Sequence, residues 1–216
     1  MKILGIETAT EVCAVALFHD WNIVSEIAKE EKYIHAEKLL PMIHQLLSSC
    51  KVELSELDAI AVSIGPGSFT GLRIGLSVAK GLSYSSNLPL VAVSTLKACA
   101  VSTLQKFPTT TSILVPIIEI QKNEFVLTTF RKETLFDTND FELRSFTKDS
   151  SASAIELFNQ QYENYVLCGH GSENFCEMFV KQHNFPNVSL VEKKELLKCN
   201  AQSIAFLGAM QLEKND

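Results

Sequence analysis

Ser63-Ile64-Gly65-Pro66-Gly67-Ser68-Phe69-Thr70-Gly71-Leu72-Arg73-Ile74-Gly75 is the stretch on which the reading of this chain turns. The apolar run from Ala59 to Ile64 reads as a buried strand, and the small or rigid residues after it bring the chain sharply round into a helix. Thr70 is the expected N-cap. Leu72, Leu76 and Ala79 then follow on one helical face, while Gly71, Gly75 and Ala79 mark a second line of small residues. Backbone N–H groups around Gly67 and Ser68, with Arg73 in the first turn, suit an anion such as phosphate, and a tight structural turn is the alternative. No Lys-Ser/Thr pair follows the glycines, so this is not a P-loop for nucleoside triphosphates. Glycines at 65, 67, 71 and 75 also miss the dinucleotide-binding spacing.

Working outward, Lys2 to Glu7, Val12 to His19 and Ile23 to Lys29 read as three strands joined by turns, followed by a helix from His35 to Ser49. The strand at 59–64, the glycine turn with its helix to about Ser85, a strand at Leu90 to Val93 and a helix near Leu96 to Gln105 complete the order βββαβαβα. The second half starts again with strands at Ile113 to Ile120, Glu124 to Arg131 and around Phe141 to Phe146. A helix at Ala152 to Gln161, a strand at Tyr165 to Cys168, a helix around Asn174 to Gln182, a strand at Val188 to Val191 and a helix from Ala201 to Glu213 repeat the order. Three hairpin-joined strands followed by helical crossovers imply a mixed sheet covered by helices, so each half is an α/β layer structure. Thr103 to Ser112, with Pro108 and a threonine run, is the linker candidate. The expected lobes are therefore 1–105 and 106–216, and periodicity leaves open on which of them the helix at 201–213 packs.

Composition narrows the class. The chain has 216 residues, 46% hydrophobic and 20% charged, as in a globular protein with a real core. With 19 basic against 25 acidic residues, a formal charge of −6, no overall field draws it to nucleic acid. The pairs Arg131-Lys132 and Lys193-Lys194 are flanked by Glu133, Glu192 and Glu195 and read as solvated surface. Six cysteines at 13, 50, 99, 168, 176 and 199 lack C-x-x-C spacing, so reduced thiols are expected rather than a zinc ribbon or a disulfide framework. The first apolar segment is too short for a signal peptide, nothing approaches a membrane span, and a cytoplasmic protein is expected.

Duplicated βββαβαβα halves are the organisation of the actin-like, sugar-kinase and Hsp70-type ATPases, a likeness of fold that carries no function by itself. The motifs narrow it. Ile6-Glu7-Thr8-Ala9-Thr10, His35-Ala36-Glu37-Lys38-Leu39-Leu40-Pro41, Gly65 to Arg73 and Val93-Ser94-Thr95-Leu96 together resemble the TsaB family, bacterial subunits of the tRNA threonylcarbamoyladenosine machinery. The resemblance is dense over residues 1 to about 100 and thin afterwards. It implies a two-lobed actin-like (ribonuclease H-like) fold and a non-catalytic dimerization subunit. Its implied partners are a TsaD-type catalytic paralogue, which carries the threonylcarbamoyl group to adenosine 37 of tRNAs reading codons that begin with A, and a TsaE-type ATPase. A homodimer in isolation, tRNA contact only through the complex, and no membrane association complete that expectation. An active ATPase or sugar kinase and, behind it, a glycoprotease are the alternatives.

Metal chemistry of a hydrolase or transferase needs ligands at helical spacing, such as histidines four apart. Thr95 and Cys99 stand where the resemblance places that pair in the catalytic paralogue, while His35, His44, His170 and His183 are scattered and read as surface or capping residues. No metal, cofactor or catalytic residue is expected. The helix at 35–49 carries more apolar surface than one sheet contact needs. The helices at 35–49 and 70–85, through Leu39, Leu40, Ile43, Leu46, Gly71, Gly75 and Ala79, are therefore the expected partner-binding surface, the small residues admitting a close helix neighbour. Glu7, Thr8, Gly67, Ser68 and Arg73, with Gly169 and Gly171 of the Gly169-His170-Gly171-Ser172 loop, are candidate anion or nucleotide contacts, a hydrogen-bonding strand end and a lone GxG turn being the plainer readings. Glu119-Ile120-Gln121 stands where TsaB proteins commonly show Asp-Ala-Arg.

Overall fold

The computed structural model describes residues 1–31, 33–107, 112–136, 142–147, 150–158, 163–191 and 199–215. Pro108 with its threonine run, the Lys193-Lys194 pair with its glutamates, Phe141, and 159–161 of the expected fourth helix lie outside the described residues. The chain forms two compact units, Met1–Ala98 with Cys199–Asp216, and Cys99–Lys198.

The first unit runs β1 (Lys2–Glu7), β2 (Val12–His19), β3 (Asn22–Glu30), α1 (His35–Cys50), β4 (Ala59–Ser63), α2 (Phe69–Ser86), β5 (Leu90–Val93) and the start of α3 (Thr95–Lys106). Its sheet has the order β3-β2-β1-β4-β5. The pairs β1/β2 and β2/β3 are antiparallel; β1/β4 and β4/β5 are parallel. The second unit contains β6 (Ile113–Gln121), β7 (Glu124–Leu127), β8 (Arg144–Phe146), α4 (Ser151–Phe158), β9 (Tyr165–Cys168), α5 (Ser172–Phe175), α6 (Lys181–His183) and β10 (Val188–Leu190). Read from β8, its order β8-β7-β6-β9-β10 repeats the first sheet strand for strand, in direction as well as position. This is the duplicated βββαβαβα unit of the actin-like fold, as the element order in the sequence predicts. The differences are local. β7 stops at Leu127, and Phe130 returns only as an isolated bridge to Leu114. The helix expected around 174–182 is interrupted by a π turn, Cys176–Val180, and a short 3-10 turn at Leu54–Glu56 adds to the predicted elements.

Helices cover both faces of the first sheet. Along β1, Leu4 and Ile6 join a core cluster with Leu39, Met42 and Ile43 of α1, so alternation turns Ile3, Gly5 and Glu7 to the other face. There the last helix, α7 (Ala201–Asn215), packs on β1, β2 and β4. Its approach is set by glycine on both sides: Gly5 leaves no space for a Cβ below Ala201 and Ala205, and Gly208 none above Ala61. In the second unit, Phe125, Phe146, Phe158, Phe175 and Phe179 pack edge-on or tilted at 4.8–6.2 Å between ring centres, forming that unit's core.

The structure revises the reading of α1. Its buried residues His35, Leu39, Met42, Ile43, Leu46 and Leu47 recur at the spacing of one helical face. Leu39, Ile43 and Leu46 are therefore interior residues of their own unit rather than exposed surface, each contributing about 1.5–3 kcal/mol of burial. Leu40 alone of the expected α1 set is exposed, at 52%. Leu47 lies two turns on in the same direction but is buried, as part of the core cluster against which Val52 and Leu54 also pack. Leu46→Ala is expected to cost roughly 2–5 kcal/mol in urea denaturation, and Leu39 or Ile43 changed to Asp to unfold the unit. Leu40→Ala should stay within about 0.5 kcal/mol.

Candidate functional site

The glycine stretch and the end of β1 form one construction. The strand β4 ends at Ser63, Gly65 turns the chain at φ 105°, and Ser68, not Thr70, caps α2: its Oγ accepts from the Gly71 N–H at 3.2 Å. Thr70 lies already inside the first turn. The Ser68 N–H donates to the Ala9 carbonyl at 2.7 Å, which draws the start of α2 onto the turn after β1. Gly67 sits against Ala9, so closely that a Cβ on it would come within 2.7 Å of the Ala9 Cβ. A Cβ on Gly71 would fall on the Thr8 carbonyl oxygen, and one on Gly75 on the Thr8 hydroxyl. The line Gly71, Gly75, Ala79 thus admits the Thr8–Ala9 turn of its own unit rather than a neighbouring helix, and these three are the buried residues of α2.

That packing consumes what an anion cradle would use. The Gly65 N–H donates to Thr95 Oγ1, the Ser68 N–H to Ala9 and the Gly71 N–H to Ser68. Arg73 lies with its guanidinium carbon 3.9 Å from the centre of the Phe69 ring. Glu7 and Thr8 are completely buried, so neither offers a surface to a ligand. Glu7 Oε1 accepts from the Ala9 N–H at 2.6 Å, while Glu7 Oε2 and Thr8 Oγ1 have no hydrogen-bond partner. Burial, opposed in part by hydrogen bonds from Ala9, Ser63 and Thr10, pushes the Glu7 carboxyl up to about 7.

The second unit repeats the device at Gly169, which turns at φ 91° directly after β9. A Cβ there would lie 2.5 Å from the Ile117 carbonyl, and one on Gly171 2.6 Å from the Glu119 N–H nitrogen. The Gly171 N–H donates to Ile117 O, and Ser172 Oγ donates to Gly169 O. Glu119 accepts from the Asn123 N–H and from Asn174 Nδ2. In each unit, then, the loop after the fourth strand is pressed on the end of the first.

The remaining chemistry is sparse. Among the described residues no group of three His, Cys, Asp or Glu side chains stands together as a metal site. His183 Nδ1 lies 2.9 Å from the Phe179 carbonyl, whereas His35, expected at the surface, is buried with Nε2 unpartnered. Cys13, Cys50, Cys168 and Cys176 are free thiols, with burial pushing Cys13 up to about 11 and Cys168 up to about 12. Cys99 and Cys199 are not free thiols, which corrects the expectation of six reduced thiols: sequence spacing carries no information on the oxidation state of a cysteine. No helix among the described residues is long and apolar enough to cross a membrane.

The surface that the sequence reading missed is the outer face of α2. Phe69, Arg73, Ser77, Lys80 and Tyr84 recur opposite the glycine line and are all exposed, Phe69 at 69% and Tyr84 at 92%. Their spacing is legible beside the glycines, but the small residues draw the reading to the wrong side of the helix. Between α1 and α2 an open concavity of ≈ 520 Å³ is lined by Leu40, His44, Leu47, Ser48, Leu54 and Leu82, among others. Gly→Ala substitutions test the construction. Helix propensity favours alanine by about 1 kcal/mol. At Gly71 and Gly75 the clash with Thr8 should reverse the sign and lower stability by roughly 1–3 kcal/mol, while Gly81, with open space around it, should gain about 0.5–1 kcal/mol in thermal or urea unfolding.

Comparison with known proteins places this geometry. Residues 22–215 match the family model described as TsaD: tRNA N6-adenosine threonylcarbamoyltransferase. The tRNA threonylcarbamoyladenosine biosynthesis protein TsaB of Escherichia coli is 42% identical over 102 residues, 46% of this chain and only 43% of that protein. TsaB of Buchnera aphidicola subsp. Baizongia pistaciae is 30% identical over 196 residues, 90% of this chain and 86% of that one. Among solved structures, YeaZ from Pseudomonas aeruginosa superposes with a TM-score of 0.78 over 99% of this chain and 92% of its own, at 24% identity, a likeness of fold. With most of its length inside the family model, and a TsaB relative matched over most of both chains, this protein belongs to the TsaD family of tRNA N6-adenosine threonylcarbamoyltransferase-type proteins, in its TsaB group.

Proposed function

We propose that the chain is a non-catalytic scaffold subunit for tRNA threonylcarbamoyladenosine formation. In this reading it pairs through the outer face of α1 and α2 with a TsaD-type catalytic paralogue. Together with a TsaE-type ATPase, the pair supports transfer of the threonylcarbamoyl group to N6 of adenosine 37 in tRNAs that read codons beginning with A. The observation that carries the reading is the exposed row of Phe69, Arg73, Lys80 and Tyr84 on α2, together with Leu40, exposed on α1 where it lines the ≈ 520 Å³ concavity. Exposed aromatic and arginine side chains are the composition of interface anchors. The glycine loop supports it from the other side, since its amides and its small-residue line are engaged by the chain's own Thr8–Ala9 turn.

The same face would serve a homodimer when the paralogue is absent, because one exposed apolar surface satisfies both arrangements. A formal charge of −6 favours tRNA being held by the complex rather than by this chain. The decisive experiment is reconstitution of tRNA threonylcarbamoylation with purified subunits. Omitting this chain should abolish the modification, and undiminished product without it would overturn the reading. Leu40→Asp combined with Tyr84→Asp should leave the fold intact by circular dichroism and weaken association with the catalytic paralogue at least about tenfold, the loss of one or two interface anchors.

A further inference from the structure

The carboxyl group of Glu7 has no place in the scaffold reading, and it is a buried carboxyl in the first unit with only one of its oxygens hydrogen-bonded. It is 0% exposed, one oxygen is held by the Ala9 N–H, and the other has no partner. An ionised carboxylate in such surroundings is costly, because nothing replaces the water lost by its second oxygen. The groups that meet it come from every side. Its own strand contributes the turn amides of Ala9 and Thr10, β4 brings the Ser63 hydroxyl, and β2 brings Ala14 opposite it in the sheet and the Cys13 thiol nearby. Ala14 is clustered with Ala201 of α7, and α2 faces this end of β1 with glycine. None of these elements places a cation on the carboxyl.

The position makes its charge matter. Ser63 Oγ accepts from the Thr8 N–H at 3.3 Å, and Glu7 Oε1 accepts from the Ala9 N–H, so the serine and the carboxyl hold the same turn. Thr8 is the residue on which Gly71 and Gly75 seat α2, and Gly5, on the same face as Glu7, is the residue on which α7 is seated. We propose that Glu7 is a proton-operated latch at the end of β1, holding α2 and α7 tightly seated while it carries its proton and loosening both when it loses it.

The carboxyl is raised from an ordinary 4.5 to about 7 by burial, so the native state binds this proton more tightly than the unfolded chain does. The stability associated with it is fully present below about pH 4.5 and is lost as pH rises through about 7. Carbon-13 labelling of glutamate side chains, with Glu7→Gln used to assign the resonance, reads the titration directly. A midpoint between about 6 and 8 is expected, and one near 4.5 overturns the proposal. In thermal unfolding Glu7→Gln should match the wild type at about pH 5 and exceed it by several degrees at about pH 8. Parallel curves for the two proteins would sink the latch. Should Glu7→Gln fail to fold, Ser63→Ala, which removes a hydroxyl that favours the ionised form, should move the midpoint upward, and an unchanged midpoint counts against the proposal. Amide exchange in α2 and α7, corrected for intrinsic base catalysis, should rise between about pH 6 and 8 in the wild type; exchange that stays flat refutes coupling to the helices.

Discussion

The first unit depends on a contact in which there is no room for a β-carbon. α2 lies so close to the Thr8–Ala9 turn that a β-carbon at 67 or 71 would strike the backbone of Ala9 or Thr8 and one at 75 the Thr8 side chain, and the Ser68 N–H to Ala9 bond fixes the register of that approach. Two consequences follow from one distance. The inner side of α2 has no side chains to offer a ligand, and its outer side, lifted onto the sheet by a flat glycine seat, carries Phe69, Arg73 and Tyr84 into solvent. Close backbone packing gains dispersion contacts against the chain entropy that glycine brings, a balance that suits a position fixed by geometry rather than by side-chain volume.

The same solution appears in the second unit without visible sequence identity. Gly65 and Gly169 both turn at positive φ immediately after the fourth strand of their sheet, and both loops press on the end of the first strand, at Thr8–Ala9 and at Ile117–Glu119. The parallel crossover requires the chain to reverse within a few residues at the carboxyl end of a central strand, and glycine is the residue that permits it. In the first unit that reversal buries a glutamate without a counter-ion. In the second, Glu119 near the end of β6 is partly exposed and satisfied by Asn123 and Asn174.

Strand and helix order is legible throughout, because period-2 and period-3.6 patterns are local and Leu39, Met42, Ile43 and Leu46 announce a helical face wherever they occur. The side of that face is not legible. An apolar stripe looks the same whether it meets its own sheet or another protein, and only the burial of Leu39, Ile43 and Leu46 beside Leu4 and Ile6 decides between them. The glycine line misleads in the same way: spacing says that something approaches closely, and says nothing of what. Ser68 and Thr70 are equally good caps by composition, and the bond from Ser68 to Ala9, between segments far apart in the sequence, chooses between them.

By itself, then, the sequence determined the α/β class, the duplicated βββαβαβα order, the turn at Gly65 to Gly71 and the motifs that mark the family, all of which rest on interactions between residues near one another in the chain. Tertiary structure alone decided that α7 returns to the first sheet, that Thr8 occupies the glycine seat, that Glu7 is sealed from water, and that Leu40, Phe69 and Tyr84 are left exposed. Each of these depends on which distant segments exclude water from one another, and that is set by packing in three dimensions, where burial and close approach are properties of pairs of segments and not of either one.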